Sequence, residues 1–250
     1  MLTARAYILR FALTFGTLLF WMHGAFAQLT VTGGLTATDL AQILAGPGIT
    51  VSNAVVTGSA QASGSFDGSA SNIGMNSGVL LTTGPLNIAI GPNNTESAGQ
   101  GLGLPGNNLL NGLAGANTFD AIIFEFDFIP LSNQIEFNYV FGSEEYLEWV
   151  NSQFNDAFAF FISGPGIAGE QNIAVVPNTT TPITINTINT GVNAQFYVNN
   201  PGGASIQYDG FTTVMTALAT VQACETYHLR LMIADGGDGV WDSGVFLEEG

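Results

Sequence analysis

The side chains able to carry chemistry in this sequence are carboxylates, and seven of the 19 stand out in three short segments. The first is Phe141-Gly142-Ser143-Glu144-Glu145-Tyr146-Leu147-Glu148-Trp149 and the second is Asn155-Asp156. The third is Asp235-Gly236-Gly237-Asp238-Gly239-Val240-Trp241-Asp242-Ser243-Gly244. Hard divalent cations take several oxygen ligands, from carboxylates, amides and backbone carbonyls, on a turn able to wrap the ion. Aspartates spaced by glycines supply such a turn. The expected metal ligands are therefore Glu144, Glu145, Asp156, Asp235, Asp238 and Asp242, with Ca²⁺ as the cofactor. The spacing is not that of the twelve-residue helical calcium loop, because the closing glutamate is missing at the required offset. Each segment alone reads equally as a solvated acidic turn, Asp-Gly being a common hairpin turn.

Other chemistries are poorly supplied. Glycoside hydrolysis needs two carboxylates across a cleft, and Glu144, Glu145 and Glu148 are the candidates. Neighbours on an extended strand point to opposite faces, so Glu144 and Glu145 are not expected to share a site. After residue 27 the only histidine is His228, four residues from the only cysteine, Cys224. No orienting acid is evident beside them, so nucleophilic catalysis is not expected. Zinc would need further His or Cys ligands. The reading is a non-enzyme, with a glycoside hydrolase as the alternative. One cysteine cannot form an intramolecular disulfide, and Cys224 is expected as a small buried residue or as a link to another chain. Trp149 and Trp241 adjoin the acidic segments, where they could stack on a sugar or cap the core.

The charge balance narrows the partners. The sequence has 19 acidic residues and no lysine, and its arginines are Arg5, Arg10 and Arg230. Phosphate binding requires Lys/Arg neutralisation, so nucleic acid is excluded. An anionic membrane surface is disfavoured for the same reason. Few acids can be paired internally, which leaves solvent or divalent cations to balance them.

The start of the chain reads as an export signal. Arg5 and Arg10 precede an apolar run from Phe11 to Met22, and Ala25-Phe26-Ala27 places small residues where a signal peptidase reads. Cleavage is expected before Gln28, and the apolar run is short for a spanning helix. Residues 28–250 then carry one arginine against 19 acids, a formal charge of −18. They are expected to be extracytoplasmic, not inserted in a membrane, and one domain.

The elements that must position the acids are mostly strands. Thr36 to Pro47 predicts one short helix, with Thr/Asp capping candidates at its start and Gly-Pro at its end. From Gly48 onward the signal is β. Residues 121–128 place Ile122, Phe124, Phe126 and Phe128 on one face, with Ile123, Glu125 and Asp127 on the other. Residues 135–141 repeat the scheme, and Ala157–Ile162 is a nearly continuous apolar strand. Further strands are expected at 49–56, 78–84, 172–176, 183–188, 194–198, 214–221, 226–234 and 244–248. A Gly/Ser/Ala tract at 58–68 breaks the pattern, and 84–117 reads as a long ordered loop or series of turns. The fold class is all-β: a jelly-roll or lectin-like sandwich with one short N-terminal helix.

The segments Tyr139–Tyr146, Phe154–Gly166, Tyr208-Asp209-Gly210-Phe211-Thr212, Thr226–Leu229, Ile233–Asp235 and Asp242–Glu248 together resemble the bacterial choice-of-anchor L surface domain, from about Leu35 to the last residue. The resemblance implies an exported protein, secreted or at the cell surface, often followed by a variable C-terminal anchor. It implies no ligand. A looser likeness links Asn155–Ile162 to the legume-lectin strand that begins with an Asp near the metal and sugar site. The expected function is a Ca²⁺-stabilised binding or adhesion module, taking a carbohydrate or a surface protein. A structural matrix protein is the further alternative, with Asn93-Asn94-Thr95 and Asn178-Thr179-Thr180 in exposed loops.

Overall fold

A computed structural model describes residues 28–250; the expected export signal, residues 1–27, lies outside the described residues. Alternation of apolar and polar residues builds the centre. The strands in chain order are β1 (Thr30–Gly33), β2 (Thr50–Thr57), β3 (Ser63–Asp67), β4 (Ser77–Thr82), β5 (Thr118–Ile129), β6 (Gln134–Ser143) and β7 (Ala157–Ser163). They continue as β8 (Gln171–Asn172), β9 (Ile183–Thr184), β10 (Tyr197–Asn199), β11 (Gly210–Thr212), β12 (Met215–Thr220), β13 (Tyr227–Gly236) and β14 (Ser243–Glu248). Two antiparallel sheets result. One runs β1-β3-β4-β14-β6-β11-β10 with β12 also on β6, and the other runs β2-β5-β13-β7-β8 with β9 also on β7.

The main core lies between the sheets. Phe124, Phe126, Phe158, Phe160, Leu229 and Leu231 of one sheet meet Val79, Leu81, Tyr139, Phe141, Val245 and Leu247 of the other. Helix α1 (Ala37–Ala45) closes one flank through Leu40, Ala41 and Leu44. Its start is fixed by a reciprocal pair: Asp39 N donates to Thr36 Oγ1 at 3.2 Å, and Thr36 N donates to Asp39 Oδ2 at 3.0 Å. The expected all-β sandwich and its N-terminal helix are what the chain forms.

Both outer faces are also covered. Leu29, Phe66, Leu80, Val140, Tyr208 and Phe246 form a cluster behind the first sheet. Behind the second, a second helix, α2 (Asn108–Ala114), packs Leu110 and Ala114 on Ala157, Ala159, Met232 and Ala234. That helix lies inside the stretch expected to be loop. It is seven residues long, contains Gly112 and two asparagines, and depends on packing rather than propensity. The broken tract at 58–68 contains β3, which pairs with β1 and β4 and whose Gly64 allows the Thr32 backbone to approach.

Two further expectations are corrected. Cys224 is exposed, not buried, in a turn at φ +67° where its N–H bonds the Pro130 carbonyl at 2.9 Å. His228 does have an acid beside it, because the antiparallel register places it opposite Asp127, with Nδ1 2.7 Å from Asp127 Oδ1.

Candidate functional site

The acids converge because the strands that carry them end at the same rim of the sandwich. Ser143, the last residue of β6, lies opposite Ser243, the first of β14. This puts Glu144 and Glu145 next to Asp242, and Glu144 N donates to the Asp242 carbonyl at 3.1 Å. In the facing sheet Ala157 lies opposite Ala234, so Asp156 and Asp235 are neighbours as well. The Ser243 hydroxyl joins the sheets by donating to Asp156 Oδ2 at 2.6 Å, and Asp156 Oδ1 accepts from Gly236 N at 2.8 Å. Five of the six expected ligands are buried: Glu144, Glu145, Asp156, Asp235 and Asp242. Asp238 is partly exposed on the loop between β13 and β14.

Two acids missed by sequence reasoning belong to the same rim. Asp120 is buried at the start of β5, and Asp209 is buried before β11. Asp209 stood in a segment noted only for its family likeness. Asp120 interrupts the apolar alternation, which was the available signal.

A strap crosses this rim. Between Ala98 and Leu104 every second backbone N–H points at a carboxylate. Ala98 N donates to Glu144 Oε2 at 3.0 Å, and Gln100 N donates to Asp242 Oδ2 at 3.1 Å. Leu102 N donates to Asp120 Oδ2 at 2.9 Å and Leu104 N to its Oδ1 at 2.5 Å. The intervening Gly99 and Gly101 lie against the carbonyls of Val240 and Gly239, where a Cβ would clash at 1.9 and 2.5 Å. The segment expected to be a loop is therefore an extended ribbon that caps acids.

The strap does not satisfy every oxygen. Both oxygens of Asp235, one of Glu144, one of Glu145, one of Asp209 and the Tyr208 hydroxyl are buried without a hydrogen-bond partner. The Thr83 hydroxyl accepts from Ser243 N at 2.9 Å and lies near enough to Asp235 to oppose the upward shift of its carboxyl, without closing a hydrogen bond to either oxygen. Burial pushes Glu144 up to about 9 and Asp242 up to about 7, against the opposing bonds from Ala98 and Gln100. Glu145, Asp156 and Asp235 are also raised, first by burial and then by neighbouring charge: Asp156 acts on Glu145 and on Asp235, and Asp242 acts on Asp156. Among the described residues the only basic side chains are elsewhere: Arg230 pairs with Glu170, and His228 with Asp127 and Glu125.

The expected ligands split into two compartments. Glu144, Asp156, Asp235 and Asp242 are buried at the rim, whereas Glu145, close to Asp156, and Asp238 line a cavity with Trp149 and Trp241. Among the described residues no group of three or more His, Cys, Asp or Glu side chains stands in metal-holding geometry by itself. Neutral oxygens lie at the same rim, on Thr83, Tyr208 and Ser243. Glu144 is fully buried beneath the strap and presents no open cleft to a sugar chain.

The family model described as Choice-of-anchor L domain matches residues 30–250. No curated protein and no solved structure matches the chain.

Proposed function

Because the chain belongs to the Choice-of-anchor L family, a domain of surface-anchored or secreted bacterial proteins and not an enzyme family, we propose that it is an extracytoplasmic binding or adhesion module whose acidic rim holds Ca²⁺. The observation that carries this reading is Asp235. Its two oxygens are buried and unpartnered beside Asp156 and Asp242, where the described residues offer no positive charge. An uncompensated buried carboxylate costs several kcal/mol, and a bound cation removes that cost. Calcium suits the donors, which are carboxylates, hydroxyls and carbonyls on short turns. Since no three acids hold an ion alone, the ion draws on neutral oxygens at the rim as well as on Asp235 and its neighbours. The rim lies where the strand-end loops of both sheets meet, and such loops are common places for a scaffold to carry a binding surface. The partner is a carbohydrate or a surface protein.

Calorimetric melting of the purified protein in EDTA and in Ca²⁺ tests the proposal. Ligand at 100 times its Kd stabilises by about 2.7 kcal/mol. For a domain of this size that raises Tm by roughly 5–10 °C. Equal melting temperatures in EDTA and in millimolar Ca²⁺ would remove the metal from the account.

A further inference from the structure

The outer compartment of the rim is a cavity of about 230 Å³, lined by Glu145, Trp149, Phe154, Asp238, Val240 and Trp241. Trp149 is its central wall. Its ring centroid lies 5.6 Å from Trp241 at 63° and 4.8 Å from Phe154 at 78°. These edge-to-face contacts make walls that meet at an angle, rather than one flat platform for a sugar ring. The turn that carries Glu145 and Trp149 is fixed: Glu145 N donates to Ser143 Oγ at 2.9 Å, and Trp149 N donates to the Glu145 carbonyl at 3.2 Å. Gly237, at φ +96°, lets the loop bearing Asp238 lie against Phe154, where a Cβ would stand 2.9 Å from the ring.

The lining specifies the charge of the occupant. Glu145 is only 3% exposed and its Oε2 has no hydrogen-bond partner. The lining residues carry two carboxyl groups and three aromatic rings, with Glu145 Oε2 itself buried behind the wall, and the indole N–H groups are the only side-chain donors among them. Sugar hydroxyls need donors as well as acceptors. A cation needs acceptors and aromatic faces, and this wall supplies those. The volume lies below the roughly 300–1,000 Å³ of whole-ligand pockets and suits the tip of a side chain.

We propose that this cavity takes the ammonium end of a lysine side chain presented by a partner protein. The proposal stands apart from the calcium reading, which is judged by melting in EDTA and Ca²⁺. This one is judged by calorimetric titration in EDTA. The probes are Nα-acetyl-lysine methylamide, its uncharged counterpart Nα-acetyl-norleucine methylamide, and glucosamine. The lysine probe is expected to bind and the norleucine probe to bind at least tenfold more weakly. Trp149→Ala and Glu145→Gln are each expected to weaken lysine binding about 5- to 10-fold, the range of a partly desolvated cation–π contact or charge pair. Glu145→Gln keeps the shape of the wall, so it reads the charge even if Trp149→Ala fails to fold. Equal binding of the lysine and norleucine probes, or no lysine binding up to about 10 mM probe, roughly tenfold above a millimolar Kd, overturns the proposal. So does glucosamine binding tighter than lysine, which would make an amino sugar the source of the ammonium. Loss of lysine binding in Ca²⁺, with the bound Ca²⁺ itself lost in Glu145→Gln, also overturns it by giving the cavity to the metal.

Discussion

A carboxylate such as Asp235, buried with both oxygens unpartnered, must either keep its proton or face a cation. Glu144 and Asp242 are in a different position, because strap N–H groups already engage them. Asp235 therefore separates the two states of the rim. Replacing it by Asn removes the charge while nearly preserving the shape. Without metal at pH 8, Asp235→Asn is expected to raise Tm by relieving repulsion from Asp156 and Asp242. In Ca²⁺ it is expected to lose most of the calcium-dependent rise. Melting curves of the variant and the parent in EDTA and in Ca²⁺ give both signs at once, and an unchanged calcium shift would exclude Asp235 as a ligand. The chemical type of the rim was legible in the sequence, since all six expected acids lie at or beside it. Its division was not: the spacing of Glu145 and Asp238 says nothing of the tryptophans that close over them.

The same limit holds for elements. Strands β5, β6 and β7 were legible because each buries one face or both, and α1 because its caps are local. Strand β3 and the strap were not. Their form comes from partners distant in the chain, and their glycine content reads as breakage. Glycine in this fold often marks close approach instead. Gly142 and Gly244 lie opposite each other on β6 and β14, and both face the ring of Tyr208. A Cβ at Gly142 would stand 2.7 Å from the ring, and one at Gly244 would stand 2.3 Å from the hydroxyl. Three of the segments that carry the family resemblance thus meet in one slot, for reasons of packing. Gly142→Ala and Gly244→Ala are each expected to cost about 1–3 kcal/mol through overpacking. Chemical denaturation would measure it, and a loss below about 0.5 kcal/mol, the scale of ordinary surface substitutions, would mean that the ring shifts freely.

For the molecule as a whole, 19 acids against one arginine in residues 28–250 make stability a function of pH and, on the proposed reading, of divalent cation as well. No helix among the described residues is long and apolar enough to cross a membrane. Burial raises Asp242 from 3.8 to about 7 and Glu144 from 4.5 to about 9. Between those values the folded protein retains protons that the unfolded chain has released. Stability from these groups is complete below about pH 4 and is lost as pH rises through 7 and towards 9. Asp39 and Asp67 act in the opposite sense, held below the usual range by the hydroxyls of Thr36 and Ser69, so their contribution fades only in stronger acid. In EDTA the melting temperature should therefore peak in mild acid, near pH 4–5, and decline steadily to pH 9. Calcium competes with protons for the same oxygens, so its stabilising effect should be small at pH 5 and largest near pH 8–9. Differential scanning calorimetry across that range, with and without the ion, reads both slopes. A metal-free Tm that climbs from pH 5 to 9 would mean that the rim carboxylates are ionised and satisfied without any cation, and the balance of proton against calcium would lose its basis.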